Sequence, residues 1–345
     1  MRALAELPVA VDAMGGDRAP AEIVAGARKA ADEGIAVVLV GRPEDLGDAA
    51  GLDVVAAREV IEMHEDPAQG VRRKKDSSLV RAAELVRDGA ASAMVSAGNT
   101  GATMAAALLR MGRLPGVARP CIATPLPRLG RAPAVLVDAG ANAECTSAML
   151  VQFAQMGAAY AAARFGIPDP SVALLSIGEE PSKGTPLVKE AHAALAAGAG
   201  VRFVGNVEGR DLLPSPVDVV VTDGFTGNVT LKSLEGSLRF IVETLFSVFA
   251  TDDDTKAASE VLLPHLLPIA AELDPERTGG AMLLGVDGVC VISHGSSSAT
   301  AILNALRVAH ELAAGGLVDR LAAAVAHAAR HRPGCDATRH APGVR

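Results

Sequence analysis

The sequence predicts an α/β protein built on a doubly wound, mostly parallel β-sheet. Short apolar runs, rich in β-branched residues, recur along the chain without strict alternation, which is typical of strands covered on both faces. Helical patterns lie between many of these runs, and strands that alternate with helices form parallel βαβ units. The predicted strands are residues 8–13, 36–41, 91–97, 132–140, 172–178, 217–224 and 288–295. The predicted helices are residues 22–33, 77–87, 100–110, 146–164, 186–196 and 298–312.

Residues 235–280 interrupt this alternation because they contain no clear strand pattern. The segment predicts two amphipathic helices around a polar hinge at residues 252–256, and Pro264 and Pro268 predict that the second helix is short or kinked. We therefore expect one α/β domain over residues 1–330, with a helical protrusion at about 235–280 and a disordered tail at 331–345.

Composition narrows the classes of function. The 345 residues carry a net charge of −8 and contain seven Phe, one Tyr and no Trp, which argues against a nucleic-acid-binding protein. The four cysteines form no CxxC pair, and the chain shows neither a signal-peptide pattern nor an apolar run of about 18 residues. A cytoplasmic protein is therefore expected.

Glycine-rich stretches follow most of the predicted strands. In parallel α/β sheets ligands bind at the carboxyl ends of strands, where backbone N–H groups and helix N-termini attract anions. One such stretch alone is explained by a tight turn, but six together favour a shared site for a polyanion. "GNTG" and "SHGSSS" lack acidic side chains, which suits phosphate, and no stretch matches a dinucleotide or P-loop fingerprint. The six stretches are residues 12–20, 96–101, 138–142, 176–184, 222–228 and 293–298.

Longer motifs carry a resemblance to a known family. The motifs are "VDAMGGDRAP", "EMHEDP", "VRRKKDSSL", "VSAGNTGA", "DAGAN", "TDGFTGNVTLKSLEG" and "GGAMLLGVDGVCVISHGSSS", in order from about residue 8 to about residue 312. Together they resemble the acyl-carrier-protein-dependent phosphate acyltransferases of bacterial phospholipid synthesis, the PlsX family. The sequence departs from that family's pattern at Arg18, Ser176, Thr185 and Met282.

The resemblance implies both a fold and a reaction. The fold is that of phosphate acetyltransferases and isocitrate dehydrogenases, with a protruding helical pair. The reaction transfers a long-chain acyl group from acyl carrier protein to inorganic phosphate, giving acyl phosphate for phospholipid synthesis. It also implies a homodimer, and no cofactor or metal; Asp12 and Asp17 show no ligand spacing.

Lys183 and Asn228 are the candidate catalytic residues. Phosphate dianion is already a competent nucleophile, so an enzyme must supply positive charge and hydrogen-bond donors for the developing oxyanion. These two residue types suit that task, and the resemblance implies their catalytic positions: Lys183 toward phosphate and Asn228 toward the thioester carbonyl. The simpler interpretations are a solvated loop lysine and a helix cap.

His64 is a candidate acid for the leaving thiolate or a structural turn residue. Cys145 lacks a partner His for covalent catalysis.

The remaining candidate residues concern binding. Arg72, Arg73, Lys74 and Lys75 form a basic segment that would steer docking of acidic acyl carrier protein or contact the phosphate of its phosphopantetheine arm. The predicted substrate-binding residues are Gly98, Asn99, Thr100, Gly101, Asp223, Gly224, His294, Gly295, Ser296 and Ser297.

The apolar residues of the segment 235–280 predict a dimer interface whose tip, around residues 261–267, touches the membrane surface reversibly. A membrane-bound acyltransferase would then consume the labile product. Three rival functions stay open: a CoA-dependent phosphate acetyl- or butyryltransferase, a decarboxylating dehydrogenase, and a non-catalytic sensor of acyl chains or phosphate.

Overall fold

The computed structural model describes residues 4–214 and 217–330, and the strands of these residues form one eleven-stranded sheet. All seven predicted strands are present, and four further strands (β3, β5, β8 and β10) were not predicted. The strands are β1 Val9–Asp12, β2 Val37–Gly41, β3 Asp53–Ala56, β4 Ala93–Ser96, β5 Cys121–Leu126, β6 Ala134–Val137, β7 Ser171–Ser176, β8 Arg202–Glu208, β9 Val219–Val221, β10 Ala281–Leu284 and β11 Val289–Ile292.

The helices cover both faces of the sheet, which confirms the doubly wound α/β class. One face packs against α1, α5, α6, α9 and α10, and the other packs against α3, α4 and the start of α7. The α-helices are α1 Ala21–Asp32, α2 Pro67–Arg73, α3 Ser78–Arg87, α4 Thr100–Arg110, α5 Ser147–Phe165, α6 Pro186–Ala196, α7 Gly224–Phe249, α8 Asp253–Glu272, α9 Ala299–Ala314 and α10 Leu317–Arg330. The tail predicted to be disordered, residues 331–345, lies outside the described residues.

The direction of the sheet reverses near its middle. Its strand order is β3-β2-β1-β4-β11-β10-β5-β6-β9-β7-β8. Strand β10 is antiparallel to both β11 and β5, and β5 is antiparallel to β6, whereas the other neighbours are parallel. Strands β1, β4 and β11 therefore end at one edge, called here the first edge. Strands β6, β9 and β7 end at the opposite, second edge.

Helices α7 and α8 form the helical pair that the sequence predicts. Leu231 and Leu234, early in α7, pack against the core beneath the sheet. The later part of α7 and most of α8 expose apolar side chains. Those exposed are Phe240, Ile241, Val242, Leu245, Phe246, Val248, Val261, Leu262, Leu267 and Ile269. The pair returns to the first edge, where the backbone N–H of Gly130, in the β5–β6 turn, donates to Glu272 at 3.3 Å.

Two details of this pair correct the sequence analysis. The turn between α7 and α8 is residues 250–252, so residues 261–267 lie within α8 and not at the tip. The second helix is not short, because Pro264 and Pro268 both lie inside its 20 residues. Asp252 caps this helix by accepting from the Thr255 N–H at 2.8 Å, so α8 begins at Asp253, well before Pro264.

The carboxylate of Asp218 fastens the start of β9. It accepts hydrogen bonds from the Ser171 N–H at 2.9 Å and the Ser171 hydroxyl at 2.7 Å. It also pairs with the guanidinium of the buried Arg128 at 3.2 Å. Burial disfavours the charge, but the bonds from Ser171 and Arg128 outweigh it and lower the pKa of Asp218 below 3.8.

Asp218→Asn is expected to lower the free energy of unfolding at pH 7 by about 1–3 kcal/mol, since it weakens hydrogen bonds to a charged acceptor. A group whose pKa is lowered by folding stabilises the protein above its unfolded pKa, and that contribution is lost as the pH falls through the folded pKa. The difference between the two proteins should therefore shrink below about pH 4 in urea titrations. A difference that stays constant down to pH 2 would contradict the ionised pairing.

Candidate active-site loops

Four loops meet at the first edge and are called here the first-edge cluster: residues 12–18, 61–67, 96–101 and 293–298. The Asp17 N–H donates to the Gly295 carbonyl at 2.8 Å, which joins the loops after β1 and β11. The side-chain amide of Asn99 donates to the Met63 carbonyl at 2.8 Å, which attaches the "EMHEDP" loop to the start of α4. The cluster thus unites "GNTG" and "SHGSSS", as predicted.

Glycine is needed in this cluster because the loops approach one another backbone to backbone. A Cβ on Gly15 would lie 2.9 Å from the backbone nitrogen of Gly98. A Cβ on Gly101 would lie 2.7 Å from the ring of Pro67. Gly16 has a φ of +115°, and a Cβ there would lie 3.1 Å from the carbonyl oxygens of Ala97 and Gly295 in the adjoining loops. Close packing of loops is therefore one reason for these glycines, independent of any anion.

Several polar groups of this cluster are already satisfied within the protein. Asn99 caps α4 through its Oδ1 and also bonds the 61–67 loop, so its amide is occupied. The hydroxyls of Ser293 and Ser297 bond each other at 2.8 Å, and both residues are buried. Thr100, His294 and Ser296 are exposed, and the His294 ring bonds the Ser296 hydroxyl at 2.9 Å. Of the predicted binding side chains, these three face solvent.

The N-terminus of α9 is closed by two carboxylates rather than open to a ligand. The Ser298 hydroxyl donates to Glu276 at 2.6 Å, and the Ala299 N–H donates to Glu22 at 2.6 Å. Glu276 follows α8 directly in the chain, so it links the base of the helical pair to the end of "SHGSSS". An anion at this loop would meet the hydroxyls of the preceding residues and not these N–H groups.

Asp12 anchors the first-edge cluster from beneath. Its carboxylate accepts from the Ser96 hydroxyl at 2.7 Å, and the residue is almost fully buried. Burial raises the pKa of Asp12, while hydrogen bonds from Ser78, Ser96 and the backbone oppose that rise. The residue joins the ends of β1 and β4 as a structural link.

The loops that follow β6, β7 and β9 meet at the second edge and form the second-edge cluster: residues 138–145, 176–185 and 222–228. The Gly224 N–H donates to the Asn142 carbonyl at 2.7 Å. Asp223 caps α7 by accepting from the N–H and the hydroxyl of Thr226. Asp223 is half-buried, with one hydrogen bond from Thr226 to each carboxylate oxygen, and Gly224 is buried.

Lys183 and Asn228, the two candidate catalytic residues, are both exposed in this cluster. The Lys183 N–H donates to the Glu180 carbonyl at 2.9 Å, which closes the turn that carries the lysine. The loops of the two residues leave the sheet side by side because β7 and β9 pair in parallel, with Leu174 opposite Val221. Both residues therefore lie at one edge, Lys183 in the loop after β7 and Asn228 near the start of α7, which follows β9.

Sequence reasoning missed several features around these two residues. Ile177 and Phe225 stand 83% and 67% exposed; Ile177 lies in the loop that carries Lys183, and Phe225 lies three residues before Asn228 in α7. Their only signal in the sequence is a large apolar residue within an otherwise glycine-rich polar loop. The buried Ser176 hydroxyl and Asn206 Oδ1 find no hydrogen-bond partner among the described residues. The second-edge cluster thus combines a cation, an amide, apolar side chains and unpaired polar atoms.

Cys145 is unsuited to act as a nucleophile. Burial raises the pKa of its thiol to about 11, with the nearby Asp138 and Asp223 charges adding to the rise. The helix N-terminus beside it does not compensate for that burial. The thiol therefore stays protonated near neutral pH, in agreement with direct attack by phosphate.

The basic segment 72–75 divides into three exposed cations and one that is held internally. Arg72 and Arg73 end α2, and they and Lys75 are exposed. The Lys74 ammonium instead donates to the Val60 carbonyl at 2.6 Å and pairs with Glu65. The Lys74 ammonium therefore fastens the 61–67 loop, whereas Arg72, Arg73 and Lys75 are exposed, and the docking role of the segment stays a prediction.

The two clusters lie at opposite edges of one chain. The expectation that all six glycine-rich stretches share one site is therefore wrong for a single chain, because β10 and β5 reverse the sheet between them. Five strand spacings of about 4.8 Å separate β4 from β9, so these two strands lie roughly 24 Å apart across the sheet, and their loops leave it at opposite edges.

Two further properties describe residues 4–214 and 217–330. They contain no group of three or more His, Cys, Asp or Glu side chains that could hold a metal ion. No single helix among them is long and apolar enough to cross a membrane. Taken together, α9 and the first part of α10 reach that length and apolar composition, but they are bent by 59° at the break between them.

Comparisons with known proteins agree over nearly the whole chain. A family model described as "Fatty acid synthesis protein" matches residues 7–320. The phosphate acyltransferase of Pelotomaculum thermopropionicum is 49% identical over 313 residues, covering 88% of this chain and 91% of that protein. The phosphate acyltransferase of Dictyoglomus turgidum is 44% identical over 319 residues, covering 89% and 94%. A phosphotransacetylase structure from Streptococcus pyogenes superimposes with a TM-score of 0.59 at 18% identity, covering 89% and 94%, and shows a shared fold.

Proposed function

The chain belongs to the phosphate acyltransferase family, and on that premise we propose that it transfers a long-chain acyl group from acyl carrier protein to inorganic phosphate. The observation that carries the proposal is the exposure of Lys183 and Asn228 at the ends of neighbouring strands. These residues supply a cation and an amide donor, which are the groups that an attack by a phosphate dianion on a thioester requires. The product is acyl phosphate, which serves phospholipid synthesis.

The reaction needs little acid–base help. A phosphate oxygen attacks the thioester carbonyl carbon, and the carbonyl oxygen takes up negative charge. The bond between carbon and sulfur then breaks, and the sulfur leaves with its electron pair as the thiolate of the carrier, which takes a proton. Lys183 offsets the charge of phosphate, and the Asn228 amide donates to the carbonyl oxygen as its charge grows.

Lys183→Ala and Asn228→Ala should each remove about 2–4 kcal/mol of transition-state stabilisation, the range found for a donor to an oxyanion, and kcat/KM should fall accordingly. Both side chains are exposed, so the thermal midpoint should hardly move. Lys189→Ala, an exposed lysine on the adjoining α6, is the matched control and should leave turnover intact. Near-normal turnover in either of the first two variants removes that residue from the mechanism.

The phosphate loops, under this proposal, come from the first-edge cluster of a second copy of the chain. Support comes from the reversal of the sheet, which places "GNTG" and "SHGSSS" at the first edge and Lys183 and Asn228 at the second edge of one chain. A two-fold dimer would bring the first edge of each copy to the second edge of the other and form two equivalent sites. The exposed apolar face of α7 provides the surface for such pairing.

Mixing of inactive variants tests this arrangement. Lys183→Ala and Ser296→Asp disable opposite clusters, so each homodimer should be inactive. Random assembly after co-expression makes half of the dimers mixed, with one intact site each, and should restore about one quarter of wild-type activity. No recovery, with mixed dimers verified by mass spectrometry, would mean that each chain holds its own complete site.

The donor is assigned to acyl carrier protein because of the basic surface beside the first-edge cluster. Arg72, Arg73 and Lys75 are exposed on a protein of net charge −8, so they would attract an acidic partner locally. Matched palmitoyl donors on acyl carrier protein and on CoA, assayed with labelled phosphate, separate the alternatives. We expect faster transfer from the carrier protein, weakening as salt rises. Preference for short acyl-CoA would favour an acetyl- or butyryltransferase, and no phosphate-dependent loss of thioester would favour a sensor.

We also propose reversible contact of α8 with the membrane surface at a cytoplasmic face, where a membrane-bound acyltransferase would take the labile product. Val261 is 70% exposed, and Leu262 and Leu267 are exposed near it. This apolar surface favours an interfacial position over a spanning one.

Val261→Glu with Leu262→Glu should abolish co-flotation with phosphatidylglycerol–phosphatidylethanolamine vesicles, because charge opposes insertion into the acyl boundary. Activity in solution and dimer mass should stay intact. Leu109→Glu, at an exposed leucine of α4, controls for added charge and should still float. A monomeric double variant would identify this surface as dimer interface instead.

A further inference from the structure

The carboxylate of Asp138 lies at the centre of the second-edge cluster and is fully buried. Its Oδ1 accepts from the N–H groups of Ile122 at 2.9 Å, Ala141 at 2.9 Å and Gly140 at 3.2 Å. Its Oδ2 accepts from the backbone N–H and the side-chain amide of Asn142, both at 2.8 Å. Five N–H donors therefore converge on one side chain, and residues 138–142 wrap around it.

This wrapped loop is the surface on which the first turn of α7 rests. The Asn142 carbonyl accepts from the Gly224 N–H at 2.7 Å. A Cβ on Gly227 would overlap the carbonyl oxygen of Asp138, so the helix is in direct backbone contact with the loop. The Cα of Gly140 faces the Asn228 side chain, since a Cβ placed there would lie 3.6 Å from it.

We propose that Asp138 is a positioning residue for acyl transfer: its carboxylate fixes the loop that sets Asn228 at the angle the thioester carbonyl requires. The proposal rests on the proposed function, because it acts through the role assigned there to Asn228. Only a carboxylate suits the position, since it accepts from all five donors and has no proton of its own to place among them. Burial raises the pKa of Asp138, and the same N–H groups that shape the loop oppose that rise.

Asp138→Asn keeps the shape of the side chain but turns one oxygen into an NH₂ group that faces N–H donors. The loop should shift, and Asn228 with it. We expect kcat with palmitoyl-acyl carrier protein to fall at least about tenfold, because small misplacements of a catalytic group are costly. The KM for phosphate should change less than about twofold, because the hydrogen bonds of Asp138 hold neither the turn of Lys183 nor the phosphate loops of the first edge.

The decisive measurement repeats this substitution in an Asn228→Ala background. If Asp138 acts through Asn228, Asp138→Asn should lower kcat by less than about twofold in this background, which is a strongly non-additive result. A merely structural role would lower kcat by the same factor in both backgrounds and would overturn the proposal. If Asn228→Ala alone left turnover unchanged, the proposed function of Asn228 would fail first, and the two failures are thus distinguishable.

Asp218→Asn is the matched control for loss of a hydrogen-bonded carboxylate. Asp218 immediately precedes β9, the strand whose far end leads into α7, and its carboxylate accepts from Ser171 as the carboxylate of Asp138 accepts from its own loop. The Asp218→Asn substitution should lower the unfolding midpoint while leaving kcat of the folded protein unchanged. An equal loss of kcat in Asp218→Asn and Asp138→Asn would contradict a specific role of Asp138. If Asp138→Asn does not fold, Asn142→Ala, which removes one of the five donors, should show the same non-additivity on a smaller scale.

Discussion

The reversal of strand direction at β10 and β5 is the constraint on which the rest of the molecule depends. A sheet that stayed parallel would gather all the strand ends, and every loop that follows them, at one edge. Here, each half of the sheet is parallel within itself, and the antiparallel strands turn the second half over. The chain thus presents a loop cluster rich in hydroxyls at one edge and a cluster with a lysine and an amide at the other. Within one chain the two clusters therefore lie at opposite edges of the sheet.

Each loop cluster is built around a buried aspartate at the end of a strand. Asp12 ends β1 and bonds the Ser96 hydroxyl, and Asp138 follows β6 and gathers five N–H donors. A buried carboxylate is tolerated only where donors surround it, so these loops owe their shape to satisfying it. Glycines at positions such as Gly15 and Gly227 let the neighbouring backbone come close enough. The loops are therefore rigid before any ligand arrives, which suits the preorganised donors that electrostatic catalysis needs.

The sequence could predict the strands of the buried interior but not their directions. Continuous apolar runs identified β1, β4 and β11 because both faces of these strands are covered. Strands β3 and β8 are the two outermost strands of the sheet. Strand β3 was missed because none of its four residues is buried, and β8 was missed because it mixes exposed and buried positions. Pairing between β10 and β5 depends on contacts far apart in the chain, which local pattern does not encode. The same limit applies at the site: "RRKK" reads as one charged run, yet only the fold turns Lys74 inward to Glu65.

Helix α7 connects the chemistry to the exposed helical pair. Its first turn carries Asn228 at the second edge, and its 26 residues span about 39 Å, far more than the sheet it crosses. Helix α8 returns to the first edge, where Glu272 meets the β5–β6 turn and Glu276 bonds Ser298 beside "SHGSSS". One continuous segment therefore touches both loop clusters and exposes its apolar side chains between them. Whatever covers those side chains, a second copy or a lipid surface, is therefore joined to the loops at both edges through α7 and α8.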